Sequence, residues 1–135
     1  MQEDSCPITP LAKWAMLLTG NYRCVTKGGA RSIKEAVHSD VETSRSVYNW
    51  VCGLCVKLGA SREDLVPFEK YASAAQSLVR PSSAARALFA GAPNIERVDR
   101  LVQAVAAQKC MRNVVVDETV ALVEARLATN RKAAA

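Results

Sequence analysis

The sequence predicts an all-α protein, a compact single-domain bundle of six or seven helices. Three observations carry this expectation. Helix-capping signatures recur along the chain, and the stretches between them space their apolar residues with a helical period. Only 6 Gly and 5 Pro occur against 22 Ala, 16 Val and 11 Leu, too little turn chemistry for a sandwich of many short strands. At 50% apolar and 23% charged the composition is that of a globular chain, and 135 residues can bury about two-thirds of their unfolded surface around one core. Residues 1–135 therefore read as one helical domain, with 1–8 and 130–135 as flexible ends.

The elements follow in order. Thr9-Pro10 reads as N-cap and N1 of a first helix over 10–19, with Gly20 as a left-handed stop. Lys13 is its only charge, so this helix is expected at the centre of the core or at an interface. The stretch 21–31, with Gly28-Gly29, reads as a loop. Ser32 and Glu35 form a capping-box pattern for a short helix ending near His38, and Ser39 with Glu42 repeats it for a third helix reaching Leu58 before Gly59. In that helix Val41, Val47, Tyr48, Trp50, Val51, Cys52, Leu54, Cys55 and Leu58 share one arc, and Gly53 suggests a close helix crossing.

Beyond it, Ser61 with Asp64 opens a further turn, and a helix over 69–79 runs toward Pro81. Ser82 or Ser83 caps a short helix stopped by Gly91. Asn94 caps a long one over 95–111, and a last helix covers 117–129. Val114-Val115-Val116 reads as a junction between these two, because three residues cannot build a sheet. The terminal RKAAA reads as a frayed end. Six of the seven aromatics precede residue 81 and 14 of the 22 alanines follow it, so the C-terminal helices are expected to pack closely on a bulkier N-terminal core, or on another copy of the chain.

Charge is the main pointer to partners. The net +5 is concentrated between residues 5 and 34, where Lys13, Arg23, Lys27, Arg31 and Lys34 stand with no acid. Such a local field attracts phosphate backbones, an acidic protein face or an anionic surface. Within it, Arg23, Lys27 and Arg31 are spaced through the 21–31 loop, Gly28-Gly29 frees backbone amides, and Tyr22 offers a ring for stacking on a base. Tyr22, Arg23, Lys27, Arg31 and Lys34 are thus the expected nucleic-acid-binding residues.

Candidates for chemistry are few. Cys52-Gly53-Leu54-Cys55 is a CxxC, but it falls near the C-terminal end of a helix, where the dipole raises a thiol pKa instead of lowering it. Cys24, His38, Cys52 and Cys55 supply four zinc-ligand types at intervals that match no finger spacing, so a zinc-stabilised domain stands as an alternative to four buried or capping side chains. His38 is the only histidine, and no third residue completes a nucleophilic site with it and Cys24. GxxxxGK[ST], GxGxxG and HExxH are all absent. No cofactor and no enzymatic activity are expected.

Glu3 and Asp4 stand where a secretory leader carries positive charge, no apolar run approaches a membrane span, and five cysteines lack a disulfide-framework spacing. A reducing, cytoplasmic setting is the expectation. Asn49-Trp50, in an amphipathic helix ending at Gly59, resembles over about a dozen residues the central-helix signature of the Bcl-2 family, with Val51 and Cys52 where the family has Gly-Arg. No function is carried across from it. The helix count is also similar to that of rod-shaped viral coat subunits, in architecture alone. The expected function is a non-enzymatic assembly protein that self-associates and engages nucleic acid, or an acidic protein surface, through its basic loop. A dedicated RNA- or DNA-binding protein is the alternative.

Overall fold

A computed structural model describes residues 8–134, with side chains from residue 11 onward. Seven α-helices build it: α1 Ile8–Met16, α2 Ile33–His38, α3 Val41–Lys57, α4 Phe68–Ala75, α5 Ser83–Phe89, α6 Val98–Gln108 and α7 Val114–Ala134. Among the described residues the extended structure is one isolated antiparallel bridge, Val25 to Ala30. The all-α expectation is met. The expected flexible segment 1–8 lies outside the described residues except Ile8, which is already helical, so Thr9 and Pro10 lie within α1 and not at its start.

α1 does not stop at Gly20. It widens into a π-helix, Leu17–Asn21, closed by the Tyr22 amide donating to the Leu17 carbonyl, and then tightens into a 3-10 turn, Tyr22–Cys24. Gly20 is there for close approach: a Cβ on it would overlap the Tyr71 hydroxyl and sit 3.2 Å from Ile33 Cγ2. Gly53 was the expected crossing point, yet nothing lies within 4 Å of the place its Cβ would occupy.

The capping box of α2 forms as the sequence implies, with the Glu35 amide donating to Ser32 Oγ at 3.0 Å and the Ser32 amide to Glu35 Oε1 at 3.2 Å. For α3 the cap is Asp40 rather than Ser39, since Asp40 Oδ1 accepts from the Thr43 amide at 3.2 Å. Gly59 ends α3 in the left-handed region (φ 106°), with the Ala60 amide reaching back to the Cys55 carbonyl at 3.0 Å. Cys110 (φ 59°) ends α6 in the same way, with the Met111 amide on the Ala106 carbonyl at 2.9 Å. Val114 to Val116 form no junction. Asn113 Oδ1 accepts from the Val115 and Val116 amides at 2.9 and 3.1 Å, so the three valines are the first turn of α7. That helix continues through the expected frayed end to Ala134, while α6 is three residues shorter at each end than its apolar pattern.

Two apolar clusters make the core. The larger packs α1 on α3, with Ala15, Leu18, Val47, Tyr48, Val51 and Leu54 buried together with Phe68, Tyr71 and Val102. The apolar surface of α1 is therefore used inside the bundle, the first of its two expected placements. Trp50 sits only half-buried at the rim of this cluster. The smaller cluster joins Tyr22, Cys24 and Val25 to Leu88 of α5 and to Val123 and Leu127 of α7. Through it the 22–31 segment becomes part of the packed body.

Candidate nucleic-acid interface

The 21–31 segment is a tight hairpin. Thr26 closes its tip, its amide donating to the Gly29 carbonyl at 2.9 Å while its Oγ accepts from the Gly29 amide at 3.1 Å. The Arg31 amide returns to the Cys24 carbonyl at 2.9 Å. Lys27 is exposed at that tip, and Lys34 is exposed on α2.

Tyr22 is the clearest correction to the sequence reading. It is buried, its hydroxyl donates to the Glu96 carbonyl at 2.5 Å, and it accepts from the Val98 amide at 3.0 Å. A ring locked onto the start of α6 cannot stack on a base. Burial, the larger cause, raises its pKa. Arg23 is half-buried, with Nη1 donating to Ser44 Oγ at 2.9 Å and to the Thr19 carbonyl at 3.3 Å. Burial first, and the nearby Arg31 charge second, lower its pKa. Arg31 is half-buried too, donating from Nε to the Arg23 carbonyl at 2.9 Å and from Nη1 to Ser39 Oγ at 3.2 Å. The five expected residues thus divide into two exposed lysines, two anchored arginines and one structural tyrosine.

Two further cations belong to a segment packed against α2. Residues 70–95 contain Lys70, Arg80 and Arg86 and no acid, a second acid-free stretch legible in the sequence. The fold lays it against the first. The Ile33 amide donates to the Arg80 carbonyl at 3.1 Å and the Lys34 amide to the Leu78 carbonyl at 2.9 Å, which satisfies the first free amides of α2. Ser82 Oγ donates to the Asn21 carbonyl at 2.7 Å. Arg80 and Arg86 are both exposed and border one cavity of about 280 Å³. Among the described residues every ion pair uses Arg97, Arg100, Arg112 or Arg131, and none uses Arg23, Lys27, Arg31, Lys34, Arg80 or Arg86.

The zinc alternative does not assemble. Among the described residues no three His, Cys, Asp or Glu side chains converge as a metal site. His38 Nε2 lies 2.7 Å from the Ala72 carbonyl, a contact that places a proton on that nitrogen. Cys24 donates to the Gly20 carbonyl at 3.4 Å and Cys55 to the Leu11 carbonyl at 3.3 Å. All three of Cys24, Cys52 and Cys55 are buried free thiols, and burial is the main cause that raises their pKa values, Cys55 to about 11. The CxxC pair is thus poorly ionised near neutral pH, which opposes thiolate chemistry. No helix among the described residues is long and apolar enough to cross a membrane. Comparison with family models, curated proteins and solved structures finds no match to this chain.

Proposed function

We propose that the protein is a non-catalytic association module that binds RNA through one basic face, made of Lys27 and Lys34 from the first acid-free stretch and Arg80 and Arg86 from the second. The observation that carries this reading is the hydrogen-bonded adjacency of the two stretches, through Ile33 to Arg80 and Lys34 to Leu78, which joins the Lys34 and Arg80 segments across some forty-five residues of chain; the reading assigns Lys27 and Arg86 to the same face. Each is exposed and free of a carboxylate partner among the described residues, so each can neutralise a phosphate without breaking an internal ion pair. With Tyr22 buried, the face offers position and charge without a stacking platform, so the binding is expected to be tolerant of sequence.

The test is a fluorescence-anisotropy titration of single-stranded RNA with the parent and with a variant carrying Lys27→Gln, Lys34→Gln, Arg80→Gln and Arg86→Gln. All four side chains are solvent-exposed, so the variant should keep its fold. Near-complete loss of low-salt binding is expected; equal affinity would refute the reading, and binding of an acidic protein but not RNA would reassign the face.

Self-association is a second reading with its own observation. Trp50, Ala104, Ala107, Met111 and Val116 line a cavity of about 330 Å³, and exposed Leu101 and Val114 lie one turn before Ala104 and next to the rim residue Asn113. Gln103 and Arg112, both donating to Asp117, border the same cavity with it; a second copy covering its apolar part would appear as a concentration-dependent mass in sedimentation, abolished by Leu101→Glu.

A further inference from the structure

Between the hairpin, the start of α3 and α7 lies a groove of about 320 Å³ into which both Arg23 and Arg31 open. Their hydrogen bonds are all to neutral acceptors: Ser44 Oγ and the Thr19 carbonyl for Arg23, Ser39 Oγ and the Arg23 carbonyl for Arg31. Neither meets a carboxylate within 4 Å among the described residues, and neither Nη2 has a hydrogen-bond partner there. The Arg31 charge is near enough to lower the Arg23 pKa, and Asp40, bonded to Thr43 of the groove lining, offsets it only in part; two like charges half out of water favour an anion between them. Val115 and Leu122 supply an apolar wall to the same groove, and Glu118 is the acid on its lining.

Two guanidinium forks carry two positive charges, which match a phosphate monoester dianion better than a carboxylate or a bridging phosphodiester, each with a single charge. The apolar wall suits a ligand whose phosphate ends an organic body rather than standing alone. We propose that the Arg23–Arg31 groove takes the terminal phosphate of a nucleotide, either the 5′ end of an RNA strand or a free nucleoside monophosphate. The RNA-end form rests on the reading of the neighbouring face as an RNA surface; the nucleotide form does not.

The experiment has three arms on the full chain. In the first, adenosine monophosphate and inorganic phosphate are titrated while the arginine Nε–Hε resonances are followed by NMR. Saturable shifts of Arg23 and Arg31 are expected, with the nucleotide binding about tenfold tighter than phosphate. In the second, one RNA oligomer is compared with a 5′-phosphate and a 5′-hydroxyl, and the phosphorylated form should bind about tenfold tighter. In the third, Arg31→Gln should erase both differences, while Glu118→Gln, a change at an exposed position, should tighten both by about two- to threefold through loss of a repelling charge. Nucleotide binding without a preference for the phosphorylated RNA end assigns the site to free nucleotides and overturns the RNA-end form. Absence of arginine shifts together with equal binding of the two oligomers overturns the site, whether or not RNA still binds the lysine-bearing face. Failure of RNA to bind at all, with nucleotide shifts intact, overturns the RNA surface and with it the RNA-end form, and supports the nucleotide form.

Discussion

Tyr22 shows what a single side chain does here. Its ring is buried against Leu88, Val123 and Leu127, and its hydroxyl is shared by the Glu96 carbonyl and the Val98 amide, more than seventy residues away. It ties the hairpin to the first turn of α6, where the Val98 amide would otherwise lack a partner. Tyr22→Phe keeps the ring and strands those two backbone groups, so it should cost about 1–3 kcal/mol in denaturant unfolding. Unchanged stability would mean that water replaces the hydroxyl. Nothing local in Asn21-Tyr22-Arg23 distinguishes such a tyrosine from a surface one, which is why the sequence placed it in a binding role. Arg80 and Arg86 are the opposite case. Their acid-free surroundings were legible, but their adjacency to Lys34 depends on a long-range backbone contact that charge counting along the chain cannot supply.

At the scale of elements, the caps and periods were the legible part. Ser32-Glu35, Ser82, Gly59 and Gly91 all act where the pattern placed them, because each satisfies helix-end groups within five residues of itself. The misread boundaries are those decided elsewhere in the fold. Gly20 looks like a stop, yet it sits inside a π-turn shaped by Tyr71 of α4, and Gly53 looks like a crossing point, yet it faces open space. Their substitutions should therefore move in opposite directions. Gly53→Ala adds a methyl to the middle of α3 without a clash and should stabilise by about 1 kcal/mol. Gly20→Ala drives a Cβ into the Tyr71 hydroxyl and should destabilise by about 1–3 kcal/mol. Thermal or chemical melts of the two variants read both signs. A stabilising Gly20→Ala would contradict the close approach of α1 and α4.

Across the whole molecule, the ion pairs among the described residues are gathered on the C-terminal helices. They use Arg97 just before α6, Arg100 of α6, Arg112 of the turn after it and Arg131 of α7, and the hub is Glu124, which accepts from Arg97 at 2.6 Å and lies 3.9 and 3.8 Å from Arg100 and Arg131. Hydrogen bonding from Arg97 is the leading cause that holds the Glu124 carboxyl below its ordinary pKa. A depressed folded-state value gives stability that is present above the unfolded pKa and lost as pH falls through the folded one. The acid limb of a stability profile should flatten slightly in Glu124→Gln, an effect kept small by the half-exposure of the carboxylate. An unchanged acid limb would show that the Arg97 contact is not held in solution.

The proposed RNA face is tested most directly by the salt dependence of RNA affinity measured for two double variants. Each lost phosphate contact flattens the log–log slope for a single strand by about 0.7, so Lys27→Gln with Lys34→Gln, and separately Arg80→Gln with Arg86→Gln, should each flatten it by about 1.4. Equal flattening by the two pairs is the result predicted by a single face built from both acid-free stretches. A slope that responds to the lysine pair and ignores the arginine pair would contradict it.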